Sequence, residues 1–362
     1  MPDKPDSEDI NEIRGGIDSI DNQILELLNK RAKLALKIKK TSVGKSRIRP
    51  ERESAIVRRL SEKNAGPLPK QAIREIFTQI ISSFRDTMQL ERPICISFLG
   101  PSGTYSEEAA VKLLGVSTDL HPENTISGVV RSVEAGSTDL AVVPIENSSE
   151  GAVRETHKLL FNTSVKICGE ISLPIVHNLL SRAGSLDKIN FVYAHPQALA
   201  QCSIWLKTHL PKAELISVES NARAAEFASV KKNSAAIAGE AAGKIYNMKM
   251  VERGINDQPD NTTRFVALGN LKTEPTGNDK TSLICVLVDK AGALYEILGF
   301  FAEAGISMTR LESQPYKTGQ YAFYIDFIGH QQDKTVAQVL KNISDNTKIC
   351  TVLGSYPREI NS

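Results

Sequence analysis

Asp260-Asn261-Thr262-Thr263-Arg264-Phe265, followed by Val266-Ala267-Leu268, sets an amide, two hydroxyls and a guanidinium at the mouth of a short apolar run. The run reads as a buried strand bounded by Pro259. Polar groups crowded at the end of a buried strand are suited to hold an anion and hand it a proton, because ligands of α/β sheets sit at strand ends and helix N-termini. Outward from this point, between Pro93 and about Leu271, Ile94–Leu99, Leu140–Ile145, Phe191–Ala194, Ala235–Ala238 and Arg264–Leu268 read as strands alternating with helical stretches such as Gln197–Leu210. This rhythm predicts α/β layers with parallel sheets.

The flanks have other rhythms. Ile10, Ile13, Ile17, Ile20, Ile24, Leu27, Leu34 and Ile38 keep a three-four spacing through one long helix. A second helix is predicted from Pro50, and a third from about Lys70 with Ile73, Ile76, Phe77, Ile80, Ile81, Phe84 and Met88 inward. Three such helices bury little alone, so pairing with a second copy is the natural cover for the first. Beyond a predicted linker, Lys272–Asp279, the order strand, helix, strand, strand, helix, strand is ferredoxin-like. The expected architecture is multidomain: all-α over 8–92, α/β over 93–271 and α+β over 280–360.

Bulk properties narrow the function. The 362 residues are long enough for several cores, and a net charge of +2 with 24% charged residues gives no global pull toward nucleic acid or an anionic membrane. No apolar run approaches a membrane span, and the polar start, Met1-Pro2-Asp3-Lys4, is unlike a signal peptide. Five scattered cysteines read as reduced thiols of a cytoplasmic protein. The six histidines show no ligand spacing, so no metal and no cofactor are expected. His195, in Tyr193-Ala194-His195-Pro196-Gln197, reads as a helix cap in preference to a catalytic group.

Two further segments stand with the opening cluster at strand exits. Gly100-Pro101-Ser102-Gly103-Thr104-Tyr105-Ser106 leads into a helix, and Pro144-Ile145-Glu146-Asn147-Ser148-Ser149-Glu150-Gly151 follows a strand. Each alone is also what simple capping looks like; three together favour a polar cleft. With Tyr193-Ala194-His195-Pro196-Gln197-Ala198-Leu199-Ala200-Gln201-Cys202, these segments resemble the signatures of prephenate dehydratase. The resemblance implies two lobes like those of type II periplasmic binding proteins, with the site in the cleft between them. It implies Thr263 as the proton donor to the departing hydroxyl of prephenate. Thr104, Ser106, Asn147 and Ser148 then bind the substrate, Arg264 is a carboxylate or structural partner, and Thr262 is a bystander.

In the first helix Arg31 shares the stripe of Leu27 and Leu34, where a guanidinium wants a carboxylate partner. That partner is either Glu53 or another chain, or a bound anion. Arg14, Arg31, Arg52 and Glu53 resemble the substrate-binding set of the all-helical chorismate mutases, which are intertwined dimers. Ser42 stands where that family has a lysine, Met88 where it has a glutamine or glutamate, and Phe84 where a small residue is usual.

Near the C-terminus Gly292-Ala293-Leu294 and Glu312-Ser313-Gln314-Pro315 resemble the effector segments of ACT regulatory domains. This implies a phenylalanine site at Gly292, Ala293, Leu294, Glu312 and Ser313 in a dimer interface, with Gln314 replacing the usual arginine. The combined expectation is an allosterically inhibited homodimer or larger homo-oligomer acting on chorismate and prephenate in phenylalanine synthesis. Two other readings stand beside it: a dehydratase whose mutase region only dimerises, and a non-catalytic amino-acid sensor.

Overall fold

A computed structural model describes residues 7–41, 48–87, 93–317 and 320–359. The N-terminal region is helical throughout: α1 (Ser7–Thr41), α2 (Pro50–Lys63) and α3 (Lys70–Thr87). Pro50 opens α2 at its first turn, where a missing N–H costs nothing. Helices α2 and α3 pack together and bury Val57, Ile73 and Ile81, whereas Ile76 is exposed and not inward as its spacing predicts. Helix α1 leaves Ile10, Ile13, Ile17, Ile20, Ile24, Leu27, Leu34 and Ile38 exposed. Among the described residues most of this apolar stripe is left uncovered.

The central region forms two lobes. The first holds β1 (Cys95–Leu99), α4 (Tyr105–Leu114), β2 (Asp119–Glu123), α5 (Ile126–Glu134), β3 (Leu140–Asn147), β4 (Gly151–Ala152), α6 (Arg154–Asn162) and β5 (Lys166–Pro174). The chain then crosses to β6 (Asn178–Ser181), β7 (Phe191–Ala194), α7 (Pro196–Gln201), α8 (Ser203–His209), β8 (Glu214–Ser217), α9 (Asn221–Val230), β9 (Ser234–Ala238), α10 (Glu240–Ile245) and β10 (Lys249–Glu252). It returns to the first lobe as β11 (Thr262–Gly269). The two crossovers are laced together: Ile175 N–H donates to Asn261 O at 2.7 Å, and Ile255 N–H to His177 O at 2.8 Å.

Both sheets are mixed, not parallel as the alternation predicts. Their orders are β2-β1-β3-β11-β5 and β10-β6-β9-β7-β8. Because β11 comes back from the other lobe, it runs antiparallel to both β3 and β5. The predicted helix Gln197–Leu210 is broken at Cys202 into α7 and α8.

The C-terminal sheet, order β13-β14-β12-β15, comprises β12 (Asp279–Leu287), β13 (Met308–Lys317), β14 (Gln320–Ile328) and β15 (Thr347–Pro357). One face carries α11 (Ala293–Glu303) and α12 (Lys334–Asp345). The other shares a core with the first lobe, where Ile284, Val286, Tyr324, Leu353 and Tyr356 meet Val143, Ile167, Val266 and Leu268. A Cβ on Gly354 would collide with the backbone of Ile167, so β15 approaches β5 as closely as glycine allows. The predicted linker is correspondingly anchored. Asp279 accepts from the N–H groups of Thr276 and Gly277, and Thr273 is buried against Ser355.

Candidate active site

Strands β1, β3 and β11 are neighbours, and β11 runs opposite to β3. Its first residues therefore sit where β1 and β3 leave the sheet. This brings the three predicted segments to one edge, with Thr263 paired to Asn147 in the ladder. Alternation along β11 sends Phe265 and Ala267 to the core under α4, and Val266 and Leu268 to the core shared with the C-terminal sheet. Thr263 belongs to the first set and Arg264 to the second.

The Asn147 amide organises the edge. Its Oδ1 accepts from the N–H groups of Ser149 (2.9 Å) and Glu150 (3.2 Å), which settles which end of the amide is nitrogen. The two Nδ2 protons then go to Asn261 Oδ1 at 2.9 Å and Thr263 Oγ1 at 2.8 Å. Since Oγ1 accepts, the Thr263 proton is available for donation, and the amide stays in place to stabilise the oxygen left behind. Ser148 Oγ accepts from Thr262 N–H at 2.9 Å and braces the start of β11. Asn261 Nδ2 reaches Gln201 Oε1 at 3.3 Å, and His177 Nε2 meets the same oxygen at 2.9 Å. His177 donates there, and burial lowers its pKa, which favours the neutral ring. The sequence reading missed Gln201, Asn261 and His177 as individual site groups. Asn261 and Gln201 fall inside the quoted segments, but their meeting with each other and with His177 depends on the crossovers.

Thr104 caps α4, donating to Leu99 O at 2.9 Å and accepting from Glu107 N–H at 3.4 Å. Ser106 is buried in the first turn. The same loop reaches the second lobe: a Cβ on Gly103 would lie 3.1 Å from Ala242, and one on Gly239 3.3 Å from the Tyr105 ring. Tyr105 Oη donates to Val176 O at 2.6 Å. His195 caps α7 through Nδ1, accepting from Gln197 N–H at 3.3 Å.

Arg264, expected as a carboxylate or structural partner, faces other groups of the protein. Its guanidinium points away from Thr263 and meets Glu170 (2.8 Å), Asp326 (2.6 Å) and the Tyr356 hydroxyl (2.8 Å). Burial opposes its charge, but Tyr356, Asp326 and Glu170 outweigh that and hold it firmly protonated. Asp326 and Tyr356 belong to the C-terminal sheet, so Arg264 spans a domain boundary.

The helical set is dispersed within one chain. Arg31 lies over the Phe84 ring, 4.5 Å from its centroid. Glu53, whose pKa burial raises, faces Arg85 at 3.6 Å and not Arg31. Arg14 and Arg52 are exposed. Ser42 and Met88 lie outside the described residues. In the C-terminal domain Gly292 caps α11 at φ 82°, a conformation that favours glycine. Ala293 is buried, Leu294 half-buried and Ser313 exposed, while Glu312 is held by Arg310 and by Gln314 at 3.2 Å. Among the described residues, Cys95, Asp119 and His121 place ligand-type atoms within 4.8 Å of one another. The predicted absence of ligand spacing overlooked this trio because it forms across β1 and β2, toward the end of the sheet remote from Thr263. No described helix is long and apolar enough to cross a membrane.

Three family models match in order: chorismate mutase type II over 13–89, prephenate dehydratase over 96–273 and ACT domain over 281–345. A bifunctional chorismate mutase/prephenate dehydratase of Pseudomonas aeruginosa is 39% identical, covering 98% of this chain and 99% of its own. One from Aquifex aeolicus is also 39% identical, with the same coverage. Among solved structures, prephenate dehydratase from Arthrobacter aurescens in complex with L-Phe superposes with TM-score 0.68 at 34% identity, over 73% of this chain and 90% of that one. A quorum-quenching acylase, GqqA, superposes with TM-score 0.67 at 29% identity, over 73% and 98%.

Proposed function

The chain belongs to the bifunctional chorismate mutase/prephenate dehydratase family, and from that premise we propose how its residues divide the work. It converts chorismate to prephenate and prephenate to phenylpyruvate in phenylalanine biosynthesis, with allosteric regulation through its ACT domain. Relatives matched along nearly their whole length are named for both activities, which disfavours an idle mutase region or a non-catalytic sensor.

In the dehydratase step Thr263 is the general acid. The electron pair of the breaking carbon–carboxylate bond enters the ring, carbon dioxide departs, and the hydroxyl leaves as water with the Thr263 proton. The threonine oxygen regains a proton from solvent afterwards. Aromatisation supplies the driving force, so positioning and one timely proton suffice. The observation that carries this reading is the 2.8 Å donation from Asn147 Nδ2 to Thr263 Oγ1. Thr104, Ser106 and Ser148 orient the substrate, Asn147 binds and positions, and Arg264 braces the strand from behind.

In the mutase step Arg14, Arg31, Arg52 and Glu53 bind chorismate. Arg14 and Arg31 are 17 residues apart on one helix, which is about 25 Å along its axis. No single small dianion reaches both, so a site using both takes Arg14 from a second copy. The exposed stripe of α1 supports the same homodimer. Phenylalanine binds at Gly292, Ala293, Leu294, Glu312 and Ser313, close to the exposed Tyr295, Leu311 and Tyr321, which a partner copy would cover.

The test feeds the purified protein chorismate and then prephenate, following phenylpyruvate with and without phenylalanine. Phenylpyruvate from both substrates, depressed by phenylalanine, is the expected result. Prephenate turnover by Thr263→Ala at the parental rate would overturn the assignment of the acid.

A further inference from the structure

A chain of charges runs from the expected effector segment to the strand that carries Thr263. Arg310 Nη2 donates to Glu312, and its Nη1 meets His157 Nε2 at 3.2 Å. Its Nε lies 3.6 Å from Glu146 Oε2, and that same oxygen lies 3.8 Å from Arg264 Nη1. Glu146 and Arg264 are cross-strand partners in the β3–β11 ladder, directly beside the partners Asn147 and Thr263. The charged pair faces the C-terminal domain, and the catalytic pair faces the cleft. The two pairs are consecutive along both strands, so a shift of the first that moves the backbone is passed to the second.

The links differ in tightness. Arg264 is bound closely to Glu170, Asp326 and Tyr356, and Arg310 to Glu312 and His157. Glu146 stands between the two clusters at 3.6 and 3.8 Å, beyond hydrogen-bond length, and its side chain is 37% exposed. A contact of this kind can tighten or open at small cost while its neighbours stay fixed. Allosteric coupling needs such a contact, one that differs between two states and is biased by both sites.

We propose that Glu146, bridging Arg310 and Arg264, is the positioning residue through which the effector state of the C-terminal domain reaches the Asn147–Thr263 pair. The inference rests on the effector and acid assignments made above. Phenylalanine at Glu312 and Ser313 repositions Arg310, Arg310 draws or releases Glu146, and the Asn147 donation to Thr263 changes with it.

The experiment uses the full-length protein as Glu146→Gln, Arg310→Gln, the double variant and Arg310→Lys. Phenylalanine binding is measured by calorimetry, and prephenate kinetics are measured with and without saturating phenylalanine. In both single glutamine variants phenylalanine affinity should stay within about threefold, while the inhibition of kcat/KM shrinks at least ~10-fold. The double variant should lose no more coupling than either single one, and Arg310→Lys should recover part of it. Basal kcat should fall in Glu146→Gln with KM within about threefold, as expected when a transition-state interaction is disturbed. Inhibition of parental depth in Glu146→Gln, or loss of coupling that merely tracks lost phenylalanine binding, overturns the proposal. If the parent protein itself ignores millimolar phenylalanine, the effector assignment fails instead. Basal kcat then decides the bridge, and an unchanged value in Glu146→Gln refutes it.

Discussion

Thr263 and Arg264 are consecutive residues that serve different domains. Thr263 Oγ1 accepts from Asn147 at 2.8 Å, and the Arg264 guanidinium reaches Asp326 of the C-terminal sheet at 2.6 Å. The two-residue period of a strand makes this division unavoidable. It places the proposed proton donor one peptide bond from the domain boundary.

Thr263→Ala should lower kcat for prephenate by ~10²–10³ with an unchanged circular dichroism spectrum, the usual cost of losing one preorganised donor. Thr263→Ser keeps the hydroxyl and should retain most activity. Steady-state kinetics on the two variants check both statements.

Asn147→Ala removes the donation to Thr263, takes the shorter of two donors from Asn261 Oδ1, and leaves the N–H groups of Ser149 and Glu150 without their Asn147 acceptor. A fall in kcat of ~10-fold or more should come with a loss of about 1–3 kcal/mol of stability. Denaturant titration beside kinetics separates the two effects.

Asp326→Asn takes one carboxylate from the buried cluster around Arg264 and Lys280. Arg264 is left short of countercharge, which should cost about 3 kcal/mol. A lower denaturation midpoint, with near-normal phenylalanine affinity, is the expected result.

His157 should make stability depend on pH. Burial, reinforced by Arg310, lowers its pKa from 6.5 to about 4. The unfolded chain therefore binds the proton more readily than the folded one. The contribution is fully present above pH 6.5 and is lost as the pH falls toward 4, amounting to about 3 kcal/mol at most. Melting curves at pH 7 and pH 5 should diverge in the parent more than in His157→Gln.

Arg31→Ala should reduce chorismate consumption by ~10²-fold or more, because the proposed mutase site loses a carboxylate-binding cation. Turnover of added prephenate should stay within about twofold, since distant sites act independently. Separate assays of the two steps on the full-length variant test this.

The three successive rhythms of the chain were legible because periodicity is a local property. The long helix with Ile10 to Ile38 on one stripe, the strand Val266–Leu268 and the ferredoxin-like order of the last segment each follow from residues close in sequence. Capping by Thr104 and His195 was legible for the same reason. Strand β5 and the antiparallel course of β11 were not, because they depend on where the chain goes after Pro174 and how it returns after Asp260. The meeting of Gln201, Asn261 and His177 was hidden for that reason too.

The sequence by itself determined which groups gather at the mouth of β11 and which of them can give a proton. Tertiary structure alone decided which way each one faces. Arg264 read as well as an anion ligand as it did as a brace until the C-terminal sheet supplied Asp326 and Tyr356. A buried guanidinium goes where its countercharge is, and that countercharge lies 94 residues back in Glu170 and 62 residues further along in Asp326.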